Sequence, residues 1–153
     1  MDLKLIKYNN ETILPIVLYG RNRLLFLEYH KRVMAEFFNL PMNYIEAPLP
    51  NVSHGQCMNW VIKETIDSVK PDYFWFCDVD CIVLKRKCVD LFYGLVSHKM
   101  GIAGHIQNSG HKKIKYKDGY ETKIHPFCSQ AFLWFPTELY NKLGRPCMDH
   151  WSE

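Results

Sequence analysis

Two carboxylates one residue apart, Asp78 and Asp80, close the segment Phe74-Trp75-Phe76-Cys77-Asp78-Val79-Asp80. An apolar run needs no anions for packing, so a pair placed where such a run stops calls for a chemical reason. Hard divalent cations such as Mg²⁺ and Mn²⁺ prefer carboxylate and water oxygens. They are commonly held by one or two carboxylates, the phosphates of a substrate completing the shell. Asp78 and Asp80 form such a half-site. The plainer alternative makes Asp78 a cap for the next element and Asp80 a solvated turn residue. The cysteines offer a second candidate metal site in Cys77, Cys81 and Cys88. Their spacing lacks the paired knuckle of structural zinc sites, and buried thiols explain them better.

Elements must position these groups. Ile13 to Tyr19 is an apolar run broken at Gly20-Arg21-Asn22, as for a buried strand entering a loop. From Arg23 to Asn39, Leu24, Leu25, Leu27, Val33, Met34 and Phe37 recur near helical spacing, and the helix ends by Leu40-Pro41. Met42 to Ala47 reads as a second strand, Ser53 as a helix cap, and Gly55 to Val69 as the helix it starts. Tyr73 to Val79, bounded by Lys70-Pro71-Asp72, reads as a central strand covered on both faces. Farther on, a helix is expected over Lys87 to Val96, strands over Met100 to Ile106 and Ala131 to Phe135, and a helix over Glu138 to Leu143 stopped by Gly144. The polar stretch from Asn108 to Lys123 reads as a long loop or hairpin. Within it the basic run His111 to Lys117 reads as solvated surface, with a lid over a ligand as the alternative. Strand and helix alternation predicts an α/β domain with a mostly parallel sheet flanked by helices. Ligands bind such sheets at the carboxyl ends of the strands, where Gly20 and the Asp pair lie.

Composition is consistent with one such domain. The 153 residues are 48% hydrophobic, enough for a core without disulfides. A net charge of +3 from dispersed Lys and Arg predicts no nucleic-acid partner. Six cysteines without a CxxC, and an opening of charged and polar residues in place of a secretion signal, predict reduced thiols and a cytoplasmic protein. No apolar run approaches the roughly 18 residues that span a bilayer, so no transmembrane segment is expected.

On these residues the chain resembles the GT-A class of glycosyltransferases, whose Asp-x-Asp motif follows a hydrophobic strand and binds a metal bridging to the diphosphate of a nucleotide sugar. Ile13 to Arg21 is similar to the family's first strand and nucleotide-cradling loop. His54-Gly55-Gln56-Cys57-Met58-Asn59-Trp60 is similar to the start of the helix before the motif strand. Ala131 to Tyr140, continuing through Leu143-Gly144, looks like the strand and helix bordering the acceptor site. The resemblance implies a Rossmann-like GT-A domain over residues 1–153, cut short within its acceptor-binding part, as a minimal enzyme, a truncated form or a fragment. It implies transfer of a sugar from a nucleotide-sugar donor to a hydroxyl of a glycan, lipid or protein acceptor, with Mn²⁺ or Mg²⁺ as cofactor. Asp80 would bind the metal directly, and Asp78 would bind the ribose or reach the metal through water. Tyr19, Gly20 and Arg21 would contact base or ribose, with rim or core packing as the other reading of Tyr19. Asn59 would reach the nucleotide from the helix start or else stand exposed. An inverting course needs a carboxylate base near the acceptor hydroxyl. Asp149 and Glu153 are the candidates, with a solvated tail as the alternative. His150 would complete the metal site, in competition with His105 and His125.

Two rival readings use the same residues. A haloacid-dehalogenase-type phosphohydrolase also carries Asp-x-Asp after an apolar strand, its first Asp a nucleophile and its second an acid/base. That family places the motif on its first strand and needs a later acidic pair, and neither feature is present here. A non-catalytic sugar or nucleotide binder would keep the Asp pair without turnover.

Overall fold

In the computed structural model, residues 2–48, 52–83, 85–98, 101–108, 114–115, 121–122 and 126–148 are described, those at 106–108, 114–115, 121–122 and 126–130 by their backbone. The chain opens with a hairpin of β1 (Ile6–Tyr8) and β2 (Glu11–Tyr19). Asn9 and Asn10 turn it with φ of 47° and 66°. Two positive φ angles are what a tight hairpin turn of this hand demands, and Asn tolerates them. A 3₁₀ turn at Arg21–Arg23 leads into α1 (Leu24–Val33), whose end widens into a π-turn, Met34–Phe38, stopped by Asn39 in the left-handed conformation. Then follow β3 (Asn43–Glu46), α2 (His54–Thr65), β4 (Tyr73–Asp78), α3 (Lys87–Val96) and β5 (Ala103–Asn108). The two-residue strands β6 (Ile114–Lys115) and β7 (Glu121–Thr122) pair with each other. Last come β8 (Pro126–Pro136) and α4 (Thr137–Lys142), with Gly144 at φ 78° just past the final helix.

Six strands form one sheet in the order β1-β2-β4-β8-β5. On the far side of β2 from β4, β1 pairs with the first half of β2 and β3 with the second. Only β2–β3 and β2–β4 are parallel; β1–β2, β4–β8 and β5–β8 are antiparallel. The sheet is therefore mixed, and the mostly parallel arrangement expected from alternating elements is corrected. Parallel neighbours need a crossover connection, and α1 and α2 supply them for β2, β3 and β4. After α3 the chain lays β5 one place beyond β4. β8 then fills the gap, running against both neighbours.

Both faces of the sheet are covered. Tyr73, Trp75 and Cys77 of β4 join Val17, Leu27, Met34, Val89 and Trp134 on the face beneath α1 and α3. Phe74 and Phe76 join Leu14, Ile16 and Leu18 of β2 on the other face, with Met58, Ile62 and Tyr140 beneath α2 and α4. Alternation along β4 thus feeds two aromatic cores, as its continuous apolar run predicts. The helix over α1 buries a narrower stripe than its periodicity suggests. Leu27, His30, Met34 and Phe38 face inward, while Leu24, Leu25 and Phe37 are exposed. No helix among the described residues is long and apolar enough to cross a membrane.

Candidate functional site at the carboxyl ends of the parallel strands

The register places Leu18 of β2 beside Asp78 of β4, and Tyr19 beside Glu46 of β3, so the three parallel strands end level. The Cys81 N–H donates to the Asp78 carbonyl at 2.9 Å, closing a turn that carries Asp80 out to solvent. The turn is held from below by His30, which is fully buried. Its Nε2 lies 2.8 Å from the Cys81 carbonyl and its Nδ1 3.2 Å from the Tyr44 hydroxyl. A carbonyl only accepts, so Nε2 carries the proton and the Tyr44 hydroxyl donates to Nδ1. The Cys77 thiol donates to the same carbonyl at 3.1 Å.

Burial lowers the pKa of His30, against the upward pulls of the Cys81 carbonyl and of Asp80. An unfolded chain therefore takes up this proton first. The contribution of neutral His30 to stability is complete above about pH 6.5 and is lost as pH falls through its folded pKa. Urea unfolding between pH 7.5 and 5.5 is expected to show a wild-type loss that His30→Gln lacks, with a slope of at most about 1.4 kcal/mol per pH unit.

The two ends of β4 treat their carboxylates differently. At the amino end, Asp72 Oδ2 accepts from the Thr12 N–H at 2.7 Å and the Thr12 hydroxyl at 2.8 Å, a structural clasp. At the carboxyl end, Asp78 is 27% exposed, and its Oδ1 lies 3.1 Å from His54 Nδ1. That contact has the distance of an ion pair without the alignment of a hydrogen bond. Asp78 Oδ1 and His54 Nε2 are both shielded from solvent with no hydrogen-bond partner. Burial raises the Asp78 pKa, with His54 opposing and Asp80 adding to the rise. A carboxylate kept short of partners beside a second, exposed one suits a hard cation that supplies what the protein withholds. Among the described residues no group of three His, Cys, Asp or Glu side chains is arranged to hold a metal.

His54 is the first residue of α2. Ser53 caps that helix through a reciprocal box in which the Gln56 N–H donates to the Ser53 hydroxyl and the Ser53 N–H to the Gln56 side chain, each at 3.0 Å. A cavity of about 230 Å³ opens beside it, lined by Leu18, Tyr19, Gly20, Ala47, Val52, His54 and Cys57. Tyr19 and Gly20 thus border the same recess as His54, which touches Asp78. Arg21 is not among the lining residues; it is 85% exposed on its side chain and pairs with Glu46 at 2.6 Å. Asn59 also lies away from the recess. Its Oδ1 accepts from the Met148 N–H at 2.8 Å and its amide donates to the Cys147 thiol at 3.0 Å, pinning the chain before Asp149 to α2. Asp149, His150 and Glu153 lie outside the described residues, as does His125. His105 is exposed on β5.

His54 was not singled out by sequence, although Ser53 as a cap already marks His54 as the first residue of a helix following a parallel strand. Cys57 and Cys77 are buried thiols. No protein-family model matches this chain, and no curated protein matches it.

Proposed function

We propose that the protein is a metal-dependent glycosyltransferase of the GT-A class, passing a sugar from a nucleoside-diphosphate sugar to a hydroxyl of a glycan, lipid or protein acceptor. The observation that carries this reading is the placement of Asp78 and Asp80 at the carboxyl end of the central parallel strand, beside a recess and with Asp78 Oδ1 lacking a hydrogen bond. Bound there, Mn²⁺ or Mg²⁺ would offset charge on the departing diphosphate. Asp80, exposed on its turn, is free to meet the cation directly. Asp78 is held by the contact with His54 and binds ribose or the metal's water. Tyr19 and Gly20 offer a wall for the nucleoside. Arg21, exposed at the strand end, would have to leave Glu46 to reach a nucleotide. Asp149 and Glu153 remain the proposed bases for the acceptor hydroxyl, and His150 a proposed third ligand. Asn59 fixes Met148 to the helix that begins at His54. A phosphohydrolase of the haloacid-dehalogenase type would carry the motif on its first strand, whereas here it closes the fourth.

Isothermal titration of UDP and GDP, each with and without Mn²⁺, tests the reading. Metal-dependent binding lost in Asp80→Ala is expected. Absence of nucleotide binding in every arm overturns it, and affinity without hydrolysis or transfer of a nucleotide sugar would mark a binder in place of an enzyme.

A further inference from the structure

Exposed apolar side chains are gathered on one layer of the molecule. Leu24, Leu25, Phe26, Tyr29 and Phe37 are exposed on α1 and its π-turn, and Leu91 and Leu95 on α3; elsewhere among the described residues only Ile102 and Leu143 are comparable. Both helices pack on the same face of the sheet, so their outer sides point away from it together. Leu25, 84% exposed, and Tyr29, 60% exposed, stand opposite the buried Leu27 and Met34. With Glu28, Lys31 and Arg32 they border a shallow groove.

The same layer is basic. Arg21, Arg23, Lys31 and Arg32 are exposed beside α1, and Lys85, Arg86 and Lys87 at the start of α3. Against them stand Glu28, Glu36 and Asp90, with Glu46 paired to Arg21 and Glu11 bonded to Tyr93 of α3. Seven cations against five anions leave this layer two charges positive, most of the +3 of the whole chain. Arg23 lies over the Phe26 ring at 5.2 Å and Lys31 over that of Tyr44 at 5.5 Å, so cations and aromatic rings are interleaved.

Aliphatic and aromatic side chains surrounded by Lys and Arg, on a helix lying flat along a domain, are the chemistry that enters an anionic bilayer surface: the rings and Leu side chains reach the headgroup boundary while the cations meet lipid phosphates. We propose that the α1–α3 layer docks this protein on an anionic membrane surface. The core of an ordinary protein interface is depleted of charged residues, whereas this layer sets seven exposed cations among its apolar side chains. Docking adds peripheral attachment to a chain in which no described helix can cross a bilayer.

Co-sedimentation of the full chain with phosphatidylcholine vesicles, with and without about 30 mol% phosphatidylserine, reads this directly. At about 0.1 M salt, where the screening length is near 10 Å, the anionic vesicles are expected to bind at least tenfold better than neutral ones, and the gain should shrink at about 0.5 M. The double variant Leu25→Glu, Tyr29→Glu should lose roughly tenfold, and Leu143→Glu, on the opposite layer, should match the wild type. Both are surface changes, and a circular dichroism spectrum checks that the fold is kept. Equal pelleting with both lipids, or an unchanged double variant, overturns the proposal. So does a solution dimer that Leu25→Glu converts to monomer, which would show a second copy on this layer. The assay needs neither nucleotide nor metal, so its failure leaves the transferase reading untouched, and the reverse also holds.

Discussion

Asp78→Asn is expected to become more stable and lose its proposed ligand. In metal-free buffer the wild type holds a carboxyl group whose Oδ1 is shielded and without a hydrogen bond. Its pKa is raised chiefly by burial. A group whose folded pKa lies above its unfolded value contributes stability that is complete below about pH 3.9 and lost as pH rises through the folded pKa. At pH 7 Asp78 therefore works against folding. The amide has no charged form to bury, and each unit by which burial raises a pKa is worth about 1.4 kcal/mol, so Asp78→Asn should recover on the order of 1 kcal/mol. For a chain of this size that is about 2–4 °C in melting temperature. Mn²⁺-dependent UDP or GDP binding should fall about 10- to 100-fold or more, the usual scale for groups that hold or orient a metal. Scanning calorimetry and titration on the same preparation read both effects. The comparison is Asp72→Asn, which removes a bonded carboxylate at the other end of the strand and should lose stability. A fall in stability for Asp78→Asn would show that His54 more than compensates the buried charge.

Trp75→Ala should cost about 3–5 kcal/mol, as large-to-small changes at buried aromatic sites do. That is a large part of the roughly 5–15 kcal/mol by which domains are stable. Trp75 is wholly buried at the centre of β4. Its ring stacks on Trp134 of β8 at 4.9 Å and meets the Phe38 edge at 5.5 Å. The side chain therefore joins the middle of the sheet to the end of the α1 segment that steadies the Asp80 turn. Trp75→Phe should cost less. It leaves a ring for Trp134, and it removes an indole N–H that has no partner. Urea unfolding of the two variants, with the denaturant slope compared, separates a smaller core from a collapsed one. Equal losses would mean that ring volume is not what matters at this position.

Much of the local structure was legible. β4 announced itself as an unbroken aromatic and apolar run between Lys70-Pro71-Asp72 and the Asp pair, because a strand covered on both faces needs no polar alternation. α3 falls on the expected Lys87 to Val96, and Ser53 caps α2 through the box its spacing with Gln56 allows. β1 escaped notice because three residues and an Asn-Asn turn carry too little pattern. The apolar residues of α1 misled for a related reason: periodicity counts Leu24, Leu25 and Phe37 as core, whereas the buried stripe includes His30 and leaves those three outside.

The sequence by itself therefore determined the α/β class, the central strand and the position of two carboxylates at its end, since each depends on neighbours within a few residues. Tertiary structure decided the rest. Strand direction depends on which strand fills the place between β4 and β5, a choice made by connections tens of residues long. The meeting of His54 with Asp78, and of His30 with the Cys81 carbonyl, joins residues 24 and 51 positions apart. The gathering of exposed Leu, Phe, Tyr, Lys and Arg on one layer follows from α1 and α3 sharing a face of the sheet, which no local pattern encodes.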